Sequence, residues 1–316
     1  MKELRRDWIN DDKVILAQDR AKRPMDKIVC DEEEEIFNEY EKECPFCRGN
    51  EGYTPSETFK IEGNEGWNVR STDNKYPIVD GISTEIYGSH EVMIDTYRHN
   101  GSFYNMSIDE FENLFTMYKN RYCEFINKSK AEYVSIFKNF LRKAGASLQH
   151  PHSQIISISL LPPDVEKEIS VAKNYYNTNN SCMYTDVINA EIKYKKRVVN
   201  NSDRFLVIIP YASRYSGEVR VIFKEKIKFE DIDNSSIEEL ARLFNKLFKN
   251  LYTVNGYCPF NLYIHTHPIS EKTIEYYNVH IHIVPRRYSY GGFELGTGIY
   301  VSSLNPEEFA EKLKFS

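Results

Sequence analysis

The sequence lacks an excess of positive charge. Its 41 lysines and arginines are outnumbered by 47 aspartates and glutamates, which gives a formal net charge of −6. A protein that binds nucleic acid through the phosphate backbone needs a basic surface, so we expect no nucleic-acid partner. The sequence also lacks an apolar run long enough to span a bilayer and an N-terminal segment of signal-peptide type. We therefore expect a cytoplasmic protein without a membrane partner.

Cysteine is scarce as well, with six residues in 316. This number, without a secretion signal, argues against a disulfide framework and favours metal ligands or buried thiols. Only Cys44 and Cys47, in Cys44-Pro45-Phe46-Cys47, have the spacing of a metal-binding hook. The pair supplies two ligands, and a redox pair or ordinary turn cysteines are equally open from this spacing alone.

The hydrophobic pattern repeats once along the chain. Each half has a strand pattern, a helix pattern and two further strands, and each helix has a possible capping box, Ser107/Glu110 and Ser236/Glu239. The predicted fold is α+β, with two similar halves that each place a helix across an antiparallel sheet. Polar residues between about 170 and 197 indicate the boundary, so we predict domains at 1–180 and 181–316. The repeated segments are 90–95, 111–126, 133–137 and the strand after His150, then 217–223, 240–251, 260–265 and 279–284.

The segment His150-Pro151-His152-Ser153-Gln154 begins a strand and places two imidazoles and an amide on alternate residues. Alternate strand residues point to the same face. A neutral imidazole is nucleophilic near neutral pH and can accept and pass on a phosphoryl group. Ser147 and Gln154 would then hydrogen-bond the non-bridging oxygens. A pair of hydrogen-bonded structural histidines is the alternative.

Two further groups of residues have chemical potential. Arg20 and Arg23, together with Asn74, could bind a diphosphate, although a short surface run of charge is common. The second group, a carboxylate and three imidazoles, would suit zinc or iron. The alternative is that these histidines lie in the sheet with their hydrogen bonds satisfied by protein groups. His267 competes with His265 for a place in it. Its members are Glu168, His265, His280 and His282.

Taken in order, these motifs resemble the galactose-1-phosphate uridylyltransferases of the histidine triad superfamily. The resemblance covers about residues 5 to 310. The motifs that carry it are Arg20-Ala21-Lys22-Arg23-Pro24, Cys44-Pro45-Phe46-Cys47, Asn74, Thr96-Tyr97-Arg98-His99, Phe137-Lys138-Asn139, Ser147 and His150-Pro151-His152-Ser153-Gln154.

The resemblance implies a role for each matching position. It makes His152 the nucleophile, with Gln154 and Ser147 in contact with the transferred phosphoryl group. It implies that the backbone carbonyl at the residue before Ser153 orients the imidazole. The remaining sets are a zinc site of Cys44, Cys47, His99 and His150; a nucleotide and phosphate pocket of Arg20, Arg23, Asn74 and Asn139; and a structural second site for zinc or iron at Glu168, His265, His280 and His282.

The resemblance also implies a homodimer and a double displacement, in which a nucleotide sugar and a sugar 1-phosphate exchange a nucleotide, as in galactose metabolism. The sequence of residues 291–298 instead resembles that of the ADP-glucose phosphorylases of the same superfamily. They lack the strand-then-helix context of a dinucleotide-binding loop, and their glycines could approach a sugar phosphate or simply form a turn. Three hypotheses follow: a uridylyltransferase, a nucleotide-sugar or dinucleotide phosphorylase, and a zinc-stabilised binding protein without turnover.

Overall fold

The structure is a computed structural model that describes residues 2–22, 38–128, 130–287 and 289–315. Its strands are β1 (Lys2–Arg6), β2 (Lys13–Ala17), β3 (Glu57–Gly63), β4 (Gly66–Asp73), β5 (Gly88–Ile94), β6 (Tyr133–Phe140), β7 (His152–Ile158), β8 (Val198–Asn201), β9 (Phe205–Ile208), β10 (Val219–Phe223), β11 (Phe260–His265), β12 (His280–Pro285) and β13 (Tyr300–Ser302). Its helices are α1 (Ile108–Lys128), α2 (Pro163–Asn179), α3 (Met183–Tyr194), α4 (Asn234–Asn255), α5 (Gly292–Thr297) and α6 (Pro306–Leu313).

A ten-stranded sheet in the order β3-β4-β5-β7-β6-β11-β12-β10-β9-β8 forms the centre of the molecule. Its neighbouring strands are antiparallel. The two halves join where β6 pairs with β11, with Phe137 opposite Tyr263. The register also repeats, since His152 lies opposite Ile94 in one half and His280 lies opposite Ile222 in the other. The predicted α+β fold of two similar halves is confirmed.

Helices α1 and α4 cover one face of this sheet and pack against each other. Their apolar residues recur at helical spacing, so each helix buries one stripe. The rings of Phe115 and Phe244 meet edge to face with centroids 4.9 Å apart. Such aromatic pairs add about 0.5–1.5 kcal/mol beyond the apolar area that they bury.

The two helix starts differ from each other. The predicted capping box of α1 is present, because Glu110 N donates to Ser107 Oγ at 3.1 Å and Ser107 N donates to a Glu110 carboxylate oxygen at 2.8 Å. The box predicted for α4 was wrong. Asp233 is the N-cap there and accepts from Ser236 N at 2.7 Å. Glu239 instead accepts from Arg204 N. An aspartate is as good a cap as serine, and it lies further upstream.

The other face of the sheet carries polar side chains. In the second half it is covered by α2 and α3, which occupy much of the polar stretch that we expected to hold the domain boundary. These helices form because Ile169, Tyr184 and Ile188 are buried in one apolar cluster. A small sheet of β1, β2 and β13 lies outside the central sheet. No helix in the described part of the chain is long and apolar enough to cross a bilayer.

Candidate functional site

Strand β7 presents His152 at its first residue, directly after Pro151. The His152 Nδ1 atom lies 2.9 Å from the backbone oxygen of His150. A carbonyl oxygen only accepts, so Nδ1 carries the proton and donates it, and Nε2 keeps its lone pair. We had expected the carbonyl at the residue before Ser153, which is His152 itself. That prediction was wrong, because the ring reaches back along its own strand to His150.

The ring of His152 is enclosed, with 6 % of its residue surface exposed. The Phe46 ring lies against it with centroids 5.4 Å apart. Burial lowers the pKa of His152, because the protonated ring would lose its hydration. The imidazole is therefore neutral near pH 7, which is the form that can act as a nucleophile.

A buried cluster of polar side chains lies behind His152, on the face of the sheet that α1 and α4 cover. Lys138 and Asp95 are both fully buried, and their Nζ and Oδ2 atoms are 2.6 Å apart. Lys138 Nζ also donates to the backbone oxygen of His152 at 3.1 Å. Next to it, the hydroxyls of Tyr118 and Ser153 are 2.5 Å apart. Sequence reasoning gave Lys138 no role, although a lysine that alternates with buried Val134 and Ile136 is an unusual signal.

The four predicted zinc ligands come together in the structure. Cys44 Sγ lies 3.7 Å from His150 Nδ1, and Cys47 Sγ lies 3.6 Å from Nδ1 of both His99 and His150. Tetrahedral zinc with Zn–S of about 2.3 Å and Zn–N of about 2.0 Å places its ligand atoms about 3.3–3.8 Å apart, and a sulfur and a nitrogen about 3.5 Å apart. The spacing of the donor atoms therefore fits one zinc ion.

The surroundings of this group also fit a metal. His150 Nε2 donates to the backbone oxygen of Thr96 at 2.8 Å, which turns Nδ1 toward the cysteines. Burial raises the pKa of the Cys44 thiol to about 11 and lowers the pKa of His150 to about 3. A metal binds cysteine as the thiolate and histidine as the neutral imidazole. Buried thiolates need a nearby cation, and a bound metal ion would supply that charge.

Gln154 also faces the His152 side of β7, two residues further on. Its Oε1 lies 2.8 Å from His90 Nε2, and Asn74 Nδ2 lies 3.0 Å from the same nitrogen. The structure thus groups the predicted residues Asn74 and Gln154 around His90. Sequence reasoning gave His90 no role, although it alternates with apolar Val92 and Ile94 on one face of β5.

The other predicted substrate residues are spread more widely. Asn139 in β6 accepts from Asn261 Nδ2 at 2.7 Å, which leaves its own amide nitrogen beside Gly145. Ser147 is exposed in the turn that follows. Arg20 is exposed in a 3-10 turn that follows β2 of the small outer sheet. Arg23 lies outside the described residues.

The second predicted metal group is assembled on the same face of the other half. Glu168 from α2 reaches the sheet, where its Oε2 lies 2.9 Å from His265 Nδ1 and 3.4 Å from His280 Nε2. The Nε2 atoms of His280 and His282 are buried and have no hydrogen-bond partner among the described residues. One donor atom from each of the four residues lies within 4.8 Å of all the others. The set therefore fits a metal ion.

His267 is not part of this group. Its Nδ1 lies 2.6 Å from Thr273 Oγ1, in a separate buried contact. The geometry therefore selects His265 over His267. Behind the group, His282 Nδ1 bonds to Glu218 at 2.9 Å, and Arg220 connects Glu218 to Asp7 of the N-terminal segment. Such outer carboxylates orient metal-binding histidines.

The glycine-rich segment 291–298 forms the short helix α5, which follows β12. Because the segment is itself the helix, it does not form the loop between a strand and a helix that a dinucleotide-binding motif needs. The Glu294 carboxylate accepts from Gly291 N at the helix start, and Gly298 ends the helix with φ +67°. Only glycine adopts that backbone conformation easily, so this glycine is explained by the turn.

The fold and the site together define a protein of two histidine-triad-like halves, with a buried imidazole next to a Cys2His2 group. The family model described as "Domain of unknown function (DUF4921)" matches residues 80–315. The chain belongs to this family.

Named relatives extend the comparison. The chain is 28 % identical to an ADP-glucose phosphorylase of Arabidopsis thaliana, over 99 % of this chain and 92 % of that one. It is 23 % identical to a galactose-1-phosphate uridylyltransferase of Thermotoga maritima, over 99 % and 98 %. The crystal structure of an Arabidopsis ADP-glucose phosphorylase with bound ADP-glucose superimposes with a TM-score of 0.88 at 26 % identity, over 100 % and 99 %. The predicted resemblance and the predicted enzyme class, a nucleotidyltransferase, are confirmed.

Proposed function

We propose that this chain transfers a nucleoside monophosphate from a nucleotide sugar by double displacement, with His152 as the nucleophile. The observation that carries the proposal is the hydrogen bond from His152 Nδ1 to the His150 carbonyl, which leaves a neutral Nε2 as the reactive atom. In the first step Nε2 attacks the α-phosphorus. The bond from that phosphorus to the bridging oxygen breaks, and a sugar 1-phosphate leaves with the electron pair.

The ring gains positive charge when the Nε2–P bond forms. The His150 carbonyl accepts from Nδ1–H and stabilises that charge, so no catalytic carboxylate is needed. In the second step a phosphate oxygen of the acceptor attacks the same phosphorus and the P–Nε2 bond breaks. The ring then returns to its neutral form.

Hydrogen-bond donors around His152 would stabilise the charge that develops on the phosphoryl oxygens. We assign this role to Gln154 and Ser147. We assign contacts with the nucleotide and its phosphates to Asn74 and Asn139, whose positions in the fold support the assignment. Arg20 and Arg23 complete the proposed set.

We propose zinc as the ion held by Cys44, Cys47, His99 and His150. When bound, zinc would tie the loop that contains Cys44 and Cys47 to the start of β7, and so fix the His150 carbonyl that orients His152. This role is structural, since the four donors leave no open coordination position.

For the second group we propose zinc or iron, also in a structural role. Glu168 lies on α2 and its three histidine partners lie on β11 and β12. An ion there would join the helix to the sheet in the half of the molecule that does not contain the zinc group.

The acceptor distinguishes two candidate reactions. The 28 % identity and the TM-score of 0.88 with ADP-glucose phosphorylases favour inorganic phosphate as the acceptor, with ADP and glucose 1-phosphate as products. The uridylyltransferase relative favours a sugar 1-phosphate as the acceptor, with UDP-glucose as the donor and a place in galactose metabolism.

We further propose a cytoplasmic homodimer with units at 1–180 and 181–316.

Product analysis tests the proposal. Metal-loaded protein is mixed with ADP-glucose or UDP-glucose, and each mixture receives phosphate, galactose 1-phosphate or no acceptor. Turnover of ADP-glucose with phosphate supports the phosphorylase, and turnover of UDP-glucose with galactose 1-phosphate supports the uridylyltransferase. If no donor and acceptor pair gives product, and no donor releases a sugar 1-phosphate in a single turnover, the chain is a binding protein and the proposal is wrong.

A further inference from the structure

His90 has a defined place relative to the reacting groups. It lies in β5, opposite Ile156 of β7, while Gln154 lies opposite Val92. Both side chains face the His152 side of the sheet, because residues two apart on a strand share a face. His90 is 7 % exposed, so its ring has a fixed environment.

The neighbours of the ring determine which nitrogen carries the proton. The backbone N–H of Ile78 lies 3.3 Å from His90 Nδ1, and a backbone N–H can only donate. Nδ1 is then the acceptor, and Nε2–H donates to Gln154 Oε1 at 2.8 Å. In this tautomer the Asn74 amide nitrogen, 3.0 Å from His90 Nε2, faces a donor, because Asn74 Oδ1 already accepts from Tyr76 N. The opposite tautomer would satisfy that amide but would leave both the Ile78 N–H and Gln154 Oε1 without a partner on the ring, so the first tautomer keeps two of the three contacts. Burial lowers the pKa of His90, which favours the neutral ring that this arrangement needs.

We propose that His90 is a positioning residue that fixes the orientation of the Gln154 amide. With Oε1 held by His90, the NH₂ group of Gln154 is the end left to face the transferred phosphoryl group. This inference rests on the proposed function, because it concerns the charge that develops in nucleotidyl transfer. When His90 Nε2 donates, Gln154 accepts with Oε1 and turns its NH₂ group toward the phosphoryl group. An acceptor at the position of His90 would bind that NH₂ group instead and would turn the Gln154 carbonyl oxygen toward the phosphoryl group.

The second half of the molecule supports this reasoning. The register aligns His152 with His280, and therefore Gln154 with His282 and His90 with Glu218. Glu218 accepts from His282 Nδ1 at 2.9 Å, which leaves His282 Nε2 facing the second metal group. In both halves, the residue at this position, His90 or Glu218, determines which atom of its partner, Gln154 or His282, faces the site.

A matched pair of substitutions tests the proposal. Glutamine places a nitrogen near the position of His90 Nε2, whereas glutamate has the same shape and, when ionised, only accepts. The single-turnover rate of nucleotidyl transfer to His152 is measured by quenched flow and intact mass. We expect His90→Gln to stay within about threefold of the natural protein, and His90→Glu to lose about 100-fold, the effect of removing one oxyanion donor. Thermal unfolding of both variants checks that the fold is kept.

The same substitutions in a Gln154→Ala background separate positioning from a general structural effect. If His90 acts through Gln154, His90→Glu should slow Gln154→Ala protein less than about threefold further. Equal rates for His90→Gln and His90→Glu, or a full 100-fold loss in the Gln154→Ala background, would overturn the inference while leaving the proposed function intact. If His90→Glu does not fold, His90→Leu replaces it with the same criteria. A natural protein that forms no adduct would overturn the proposed function and this inference with it.

Discussion

Replacement of Lys138 by methionine tests the buried support beneath the nucleophile. Lys138 and Asp95 are both 0 % exposed, and methionine would leave the Asp95 carboxylate without its cation, 2.6 Å from where the ammonium was. Removing one partner of such a buried pair costs about 3–5 kcal/mol, because the remaining charge has neither water nor a counterion. Small domains are stable by only about 5–15 kcal/mol, so the loss would be large.

The measurement is urea unfolding near pH 7, followed by circular dichroism. Arg242→Met is the matched control, because Arg242 and Glu238 form an exposed pair with side chains 63 % and 54 % accessible. Such a pair is worth at most about 1 kcal/mol. The double variant Lys138→Met with Asp95→Leu removes both charges and should recover most of the loss. A single variant that loses less than about 1 kcal/mol, or a double variant less stable than the single one, would refute the reasoning.

Three further predictions concern other parts of the fold. Cys44→Ser should lower both metal content, measured by mass spectrometry, and melting temperature, whereas Cys123→Ser should change neither; unchanged metal would show that Cys44 is not a ligand. Glu168→Gln should reduce stability to urea more than it reduces adduct formation, and the reverse order would contradict a structural second site. Hydrogen bonds from Ser236 lower the pKa of Asp233 to about 2, so Asp233→Ala should lower the melting temperature near pH 6, and this difference should shrink as the pH falls from about 4 to about 2. A pH-independent difference would argue against the charged cap.

The repeated strand, helix, strand, strand order was predictable because its signals are local. Alternating and i, i+3, i+4 patterns mark these elements whatever their partners are. Edge strand β3 was missed because its residues are largely exposed or half-buried and offer no apolar alternation. Helices α2 and α3 were missed because polar residues dominate their outer faces, and only the packed structure shows which residues are buried.

The candidate site also contains residues that the sequence predicted and residues that it did not. The His150 to Gln154 segment and the Cys44–Cys47 pair are compact motifs, so their chemistry could be proposed from spacing. His90 and Lys138 could not, because their roles depend on strand pairings between residues far apart in sequence. His90 meets Gln154 only because β5 and β7 are neighbours in one register, and no local pattern specifies that register.

The most direct test of the account is the covalent intermediate on His152. Metal-loaded protein is incubated with ADP-glucose or UDP-glucose without acceptor and examined by intact mass, then by peptide mapping under alkaline conditions that preserve a phosphoramidate. The account predicts one acid-labile nucleoside monophosphate per chain, located on His152 and absent from His152→Asn protein with unchanged metal content. No adduct from any nucleotide sugar, or an undiminished adduct in His152→Asn protein, would contradict it.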